Sequence, residues 1–374
     1  MTQRFIAAVF MRGGSSKGVF FHARDLPGAR AACDPIFLSV IGSPDPNGRQ
    51  LNGMGGGISS LSKAVIIGPP TRPDCDIDYT FAQVAVDRPV VDWGANCGNL
   101  ASAVGPFAVD EGLVKAGDGE ALVRIHQVNT SKVIHARFPV HGGKAVTAGD
   151  FAIAGVAGTG ARIRLDFLSP GGSVTKDLLP TGKTLERITV AGLGAVTVSM
   201  VDAANAAVFV AARDVGLAGH ESPDAIEARP EVMAKLDCIR RAAGVAMGFA
   251  ASPDKVGLSN PKVAVISAPH AFTTLDGQAL AADAFDIAVR VISMERAHRA
   301  VPLTAAMCLG VATRIEGSLA HEMARRITGD EVRVGNPSGV VSVGAEVVKA
   351  DRWQANSAVV FRTARRLMQG QVAL

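Results

Sequence analysis

Two short segments of this 374-residue chain, 98–109 and 303–314, read as helices that are apolar on nearly every side. The first runs Gly98-Asn99-Leu100-Ala101-Ser102-Ala103-Val104-Gly105-Pro106-Phe107-Ala108-Val109, and the second opens Leu303-Thr304-Ala305-Ala306-Met307-Cys308. A helix with no polar face has to be buried. The material to bury each one is short strands. Segments 5–10 and 18–22 flank the turn Arg12-Gly13-Gly14-Ser15-Ser16-Lys17, 64–67 follows the loop 52–60, and 123–128 with 133–140 form a hairpin about Asn129-Thr130-Ser131-Lys132. Only one helix is expected in this early part. From about residue 184 the scheme returns: 187–190 and 195–201 flank Gly192-Leu193-Gly194, helices are expected at 230–247 and 283–298, and strands at 331–334 and 340–348. No sequence repeat is evident, yet strands plus one buried helix occur twice. Two similar α+β halves are the reading, linked at Leu179-Pro180-Thr181-Gly182. A pocket between such halves, with a buried helix pointing in from each side, is where a ligand is expected.

Composition removes several classes. Apolar residues are 48% and charged residues 19%, and no run of 18 apolar residues occurs, which fits a globular, cytoplasmic chain with no membrane partner. Net charge is +4 with Lys and Arg scattered and 5% aromatics, so a nucleic-acid surface is not expected. The five cysteines (Cys33, Cys75, Cys97, Cys238, Cys308) are odd in number and form no C-x-x-C, against a disulfide framework or a thiolate zinc site. The opening MTQRFIAAVFMRGG lacks an h-region with a cleavage site. His126, His135 and His141 fall on one hairpin and the other histidines are scattered, with no H-E-x-x-H, so no metal is expected; His298, just before the second buried helix, is the one to follow. No G-x-S-x-G elbow anchors a hydrolase triad.

The stretch Asp92-Trp93-Gly94-Ala95-Asn96-Cys97-Gly98-Asn99-Leu100 carries the chemistry. It sets a thiol where a turn enters the first buried helix. Unpaired N–H groups there carry partial positive charge, which eases loss of a thiol proton and docks a carboxylate. Burial as a small apolar residue is the competing reading for Cys97, at even odds. Cys308, inside the second helix, reads as packing. Lys63 lies in Ser59-Ser60-Leu61-Ser62-Lys63-Ala64-Val65-Ile66-Ile67, where a strand would place it on one face with Leu61, Val65 and Ile67. Desolvation favours the neutral form of an amine, which can act as a base; a strand-end lysine reaching for water is the commoner alternative. Three Gly/Ser turns offer donors to an anion: Arg12, Gly13, Ser15 and Ser16; Met54, Gly55, Ser59 and Ser60; and Ser338 with Gly339. Each alone is a common surface turn. Thr304 offers a hydroxyl from the second helix, or simply caps it.

The segments MRGGSSKGVFF, IGSPDPNGRQLNGMGGGISSLSK, DYTFAQVAVDRPVVDWGANCGNL and VRVGNPSGVVSVGAE resemble, in order along nearly the whole chain, the marker segments of the PrpF-like isomerases. That family includes 2-methylaconitate cis–trans isomerase, 3-methylitaconate isomerase and 4-oxalomesaconate tautomerase. The resemblance implies a diaminopimelate epimerase-like α+β fold: two pseudo-symmetric halves, each a curved, mostly antiparallel sheet around a central helix. The halves are expected at 1–182, completed by a segment near 350–374, and at 183–349. It places the catalytic lysine on Lys63 and the catalytic cysteine on Cys97; substrate contacts are expected from the three turns and from Asn96, Gly98, Asn99 and Thr304 at the two helix starts. The loop that often reads Gln-Ile-Asp-Gly in relatives is Gln50-Leu51-Asn52-Gly53 here, without its acidic group. No second cysteine opens the second helix, which disfavours a two-cysteine racemase.

The implied reaction is a cofactor-independent 1,3-proton shift in a small unsaturated di- or tricarboxylate. 4-Oxalomesaconate is the leading substrate and 2-methylaconitate stands close behind it; a racemase or a non-catalytic organic-acid-binding protein are the alternatives from other classes. Oligomeric state is left open, a homodimer being one possibility.

Overall fold

A computed structural model describes residues 3–94, 96–258 and 260–374. The chain packs as two compact units, Met1–Asp166 with Phe361–Leu374, and Phe167–Val360.

In the first unit, β1 (Phe5–Gly13) turns through Gly14-Ser15 into β2 (Ser16–His22), with Gly13 paired to Ser16. Helix α1 (Arg30–Ile41) follows, then β3 (Lys63–Gly68), β4 (Ile77–Val84) and the short β5 (Val91–Asp92). Helix α2 (Ala101–Asp110) precedes β6 (Gly119–Gln127) and β7 (Lys132–His141). The pairing sequence is β1–β2 antiparallel, β2–β3 parallel, β3–β4 antiparallel, β4–β6 parallel and β6–β7 antiparallel. The strand Ala364–Ala373 adds antiparallel to the free edge of β1. Helix α2 touches β1, β6, β7 and Ala364–Ala373, strands from both ends of this order. A flat sheet cannot do that, so the sheet curls around the helix. Every residue from Ala101 to Val109 is buried, as a helix without a polar face requires. Phe107 alone, fully buried against Phe20, is worth about 2 kcal/mol of apolar burial.

Helix α1 covers the opposite face, packing on Ile6, Ala8, Phe21, Ala64 and Ala82. Sequence reading did not expect it. Its buried residues Cys33, Ile36, Phe37, Val40 and Ile41 hold helical spacing, but Pro35 sits among them. As the sixth residue Pro35 lies past the first turn and gives up one backbone bond, a cost that burial of the apolar stripe outweighs.

The second unit repeats this wiring. Gly194–Asp202 and Ala206–Ala211 are antiparallel, Ala206–Ala211 and Lys262–Ser267 parallel, and Lys262–Ser267 and Ile287–Ser293 antiparallel. Ile287–Ser293 and Glu331–Asn336 are parallel, and Glu331–Asn336 and Gly339–Lys349 antiparallel. The buried helix Leu303–Ala312 enters at the same point of the order as α2, and Pro230–Ala246 in the place of α1. The two halves are pseudo-symmetric in topology.

The helix expected at 283–298 is not there. Ile287–Ser293 is a central strand buried along its whole length, and Met294 and Glu295, both at positive φ, turn it into Arg296–Ala297. A strand covered on both faces loses the apolar–polar alternation that marks strands, and its continuous apolar run mimics a buried helix. No helix among the described residues is long and apolar enough to cross a membrane.

Candidate active site

The first unit gathers its chemistry where α2 begins. Residues 98–100 form a turn, so the helix starts at Ala101, three residues later than expected. Cys97 stands just ahead of it. Its carbonyl accepts from Ala101 N at 3.0 Å and from the buried Tyr79 hydroxyl at 3.3 Å, and its Sγ accepts from Leu100 N at 3.5 Å. The thiol thus sits in the capping position of the turn, 8% exposed. Ala95 lies outside the described residues. Asn96, beside it, keeps a buried amide oxygen with no hydrogen-bond partner among the described residues.

The approach to Cys97 is braced by residues that sequence reading passed over. Asn129, in the β6–β7 turn, accepts from Phe81 N and donates to the carbonyls of Phe81 and Trp93. Trp93 in turn donates to Asp34 and packs on Phe37 of α1.

Lys63 opens β3 and is 7% exposed. Val65 and Ile67 share its buried face, as alternation requires. Across the ladder it pairs with Gln83, whose Oε1 accepts from Lys63 Nζ at 2.5 Å. The same amide donates to the carbonyls of Ser59 and Ser62. Nζ lies 5.0 Å from the Phe81 ring centre. The amine's partners are therefore an amide oxygen and a ring face, with no counter-ion among the described residues. Tyr79, Phe81 and Gln83 alternate along one face of β4, so the strand that meets Cys97 through Tyr79 also holds Lys63 through Gln83. A side chain at Gly18 would start within 3.4 Å of both Lys63 Cβ and Leu100 Cδ1. The lysine stem and the turn after Cys97 are near neighbours.

The glycine turn closes against the same place. A Cβ on Gly13 would lie 2.8 Å from Asn99 O and 2.9 Å from Leu100 Cα, both backbone. Ser16 is buried beside it, whereas Ser15 is exposed. Arg12 is not brought to α2. It alternates to the other face of β1, and its Nη1 donates to the carbonyls of Gly14 and Thr363.

The second glycine loop is largely committed. Met54 N and Gly55 N donate to Val40 O and Ile41 O at the end of α1, and Gly57 N donates to the buried Gln50 side chain. Met54 packs with the α1 cluster. Those amides are not open to an anion. Ser59 and Ser60 join the Lys63 environment instead, through the turn Ser59–Leu61 that Gln83 holds.

In the second unit, Thr304, Ser338 and Gly339 surround the start of Leu303–Ala312. Asn336 accepts from Val301 N, and Ser338 Oγ donates to Arg299 O. Thr304 is exposed in the first turn and is not the cap; Pro302 takes that position. Cys308 is fully buried and donates to Val201 O, and burial pushes its thiol well above the ordinary range. His298 is shifted down by burial and then by the Lys262 charge. Among the described residues no group of three His, Cys, Asp or Glu is placed to hold a metal ion.

The fold is shared with solved structures of distant sequence. A probable proline racemase from Agrobacterium radiobacter superposes with a TM-score of 0.50 at 13% identity, over 99% of this chain and 93% of that one, a likeness of fold alone. The chain belongs to the PrpF family, whose "PrpF protein" model matches residues 3–374. It is 40% identical to the 3-methylitaconate isomerase of Eubacterium barkeri, over 99% of this chain and 97% of the relative. It is 38% identical to the 2-methyl-aconitate isomerase of Shewanella oneidensis, over 98% and 96%. It is 38% identical to the (4E)-oxalomesaconate Delta-isomerase of Novosphingobium sp., over 97% and 96%. The crystal structure of a methylitaconate-delta-isomerase superposes with a TM-score of 0.93 at 38% identity, over 100% of this chain and 96% of that one. The protein is an isomerase.

Proposed function

We propose that this isomerase moves a C=C bond in a small unsaturated di- or tricarboxylate by a 1,3-proton shift, with Lys63 as the base and Cys97 as its acid–base partner. The observation that carries the reading is Lys63 itself: a nearly buried amine with no counter-ion among the described residues, held by Gln83 beside the Cys97 turn. Neutral Lys63 takes the allylic proton. The electron pair left behind spreads through the double bond into a conjugated carboxylate or keto group, where N–H donors of the Cys97 turn hold the charge. A proton then enters at the far carbon, from the Cys97 thiol or from Lys63 returning the one it took, and the double bond has moved by one position.

Methyl-branched acids of the 2-methylaconitate and 3-methylitaconate type are the first substrates to offer, since relatives named for them match across the chain at 38–40% identity. 4-Oxalomesaconate, the leading expectation from sequence, keeps the support of a relative at 38%. The test is proton NMR of each acid with the purified enzyme in heavy water. The expected result is deuterium at the allylic carbon of one acid together with the shifted product. An enzyme that exchanges no proton in any of these acids is not doing this chemistry.

A further inference from the structure

Among the described residues Arg362 packs against the Cys97 turn and is paired with no acid. It ends the strand Trp353–Arg362, is 9% exposed, and belongs with its neighbours Phe361 and Thr363 to the first unit. Its Nε donates to Asn99 Oδ1 at 3.1 Å and its Nη1 to Phe361 O at 2.8 Å. Its Cδ would lie 3.1 Å from a Cβ on Gly14, and the Asn99 amide oxygen closer still. Arg366, Arg333 and Arg240 meet the carboxylates of Glu111, Asp286 and Asp237, whereas Arg290 and Arg12 donate to backbone carbonyls, Arg290 on the strand Ile287–Ser293 and Arg12 on the face of β1 away from α2. Arg362 meets only neutral oxygens, and Nη2 has no acceptor among the described residues. Burial pulls its pKa down to about 10, which leaves it charged at neutral pH.

A buried cation without a counter-ion is costly unless something else neutralises it. Three residues before Asn99, in the same turn, Asn96 also keeps an amide oxygen buried and unpaired. That oxygen is an acceptor and suits a donor, so the group left open to a carboxylate is the Arg362 Nη2. A guanidinium fork fits a carboxylate in planar, two-bonded fashion, and the start of α2 favours the same charge.

The geometry points to Arg362 as the residue that receives a carboxylate of the substrate, with Asn99 fixing the plane of its guanidinium. This rests on the reading of the site as one for small polycarboxylates. It also explains why Asn99 hydrogen-bonds a cation while lying two residues from Cys97: the pair would set the distance between the carboxylate and the carbon that exchanges its proton.

The test is calorimetric binding of tricarballylate, a saturated tricarboxylate that cannot isomerise, with glutarate as the dicarboxylate control. Arg362→Gln is expected to weaken tricarballylate binding at least ~10-fold, the scale of a lost charged hydrogen bond, and to shrink the preference over glutarate. A bracing role would lower stability and leave that preference intact. Arg362→Lys, which keeps the charge and loses the fork, is expected to fall between wild type and Arg362→Gln, and it carries the test alone if the glutamine variant does not fold. Wild-type protein without affinity for tricarballylate, or a folded variant that binds it as wild type does and keeps the same preference over glutarate, overturns the assignment. Exchange of substrate protons by the wild-type enzyme is read separately, so loss of the arginine's role and loss of the proposed reaction give different results.

Discussion

At the scale of single residues, the site turns on what holds the Lys63 amine. Gln83 offers it a neutral oxygen while its own N–H groups are committed to Ser59 and Ser62. Under the proposed mechanism that neutrality matters, because a carboxylate at the same distance would favour the ammonium form. Gln83→Glu is therefore expected to move the ascending, low-pH limb of the pH–rate profile to higher pH and to depress turnover at neutral pH, with little change in KM. A profile that keeps its wild-type position separates Gln83 from the chemistry. Lys63→Met should lose essentially all proton exchange and keep ligand binding, and Cys97→Ser should lose at least ~100-fold if the thiol is an acid–base group. Near-normal exchange in Lys63→Met would remove the base. Lys63 and Cys97 stood out as candidates in sequence, each with a plain structural alternative, and it was the resemblance to the PrpF-like isomerases that singled them out. Gln83 and Arg362 did not stand out, because one is selected by ladder register and the other by a strand some 260 positions away in the chain.

At the scale of elements, the start of α2 is fixed by backbone against backbone. The Gly13 Cα lies on Asn99 and Leu100 with no room for a methyl group, and neither neighbour is a flexible side chain that can swing aside. Gly13→Ala must push the turn that carries Cys97. Overpacking of this kind costs about 1–3 kcal/mol, and the expected thermal shift should come with a loss of kcat larger than the change in KM, since a displaced thiol reacts poorly before it binds poorly. Unchanged melting and turnover would show that the turn accommodates the methyl group. The motif Arg12-Gly13-Gly14-Ser15-Ser16 was visible in sequence, but its purpose was not. Glycine there admits a helix start more than it bares amides to an anion, just as the loop around Met54 and Gly55 spends its amides on the end of α1. Local composition shows that a turn is glycine-rich; only the packing shows what the missing side chains make room for. The same limit explains 287–293 and 30–41. There a fully covered strand and a proline-bearing helix each carried a local pattern that tertiary burial overrode.

At the scale of the whole molecule, the topology repeats itself where the sequence shows no repeat. The order antiparallel, parallel, antiparallel, parallel, antiparallel occurs in both units with a buried helix at the same step. The units differ in how the chain completes them. The second is continuous, whereas the first waits for Phe361–Leu374. Ala364–Ala373 pairs with β1 from Phe5 to Gly13, and Arg366 on that strand meets both Asp110 and Glu111 at the far end of α2. Removing 364–374 would leave β1 with a row of unpaired N–H and C=O groups and uncover one side of the buried helix. Hydrogen exchange on such a truncated chain is expected to show protection lost across β1, β2 and α2. It should be kept in Gly194–Asp202, Ile287–Ser293 and Glu331–Asn336, whose partners all lie within 167–360. Arg362 is still present in that chain, so a loss of tricarballylate binding would follow from the disordered Asn99 turn and not from a missing charge. Protection that survives in β1 and α2 would mean that the first unit closes without its last strand, and that the wrapped sheet owes less to chain closure than to the apolar helix inside it.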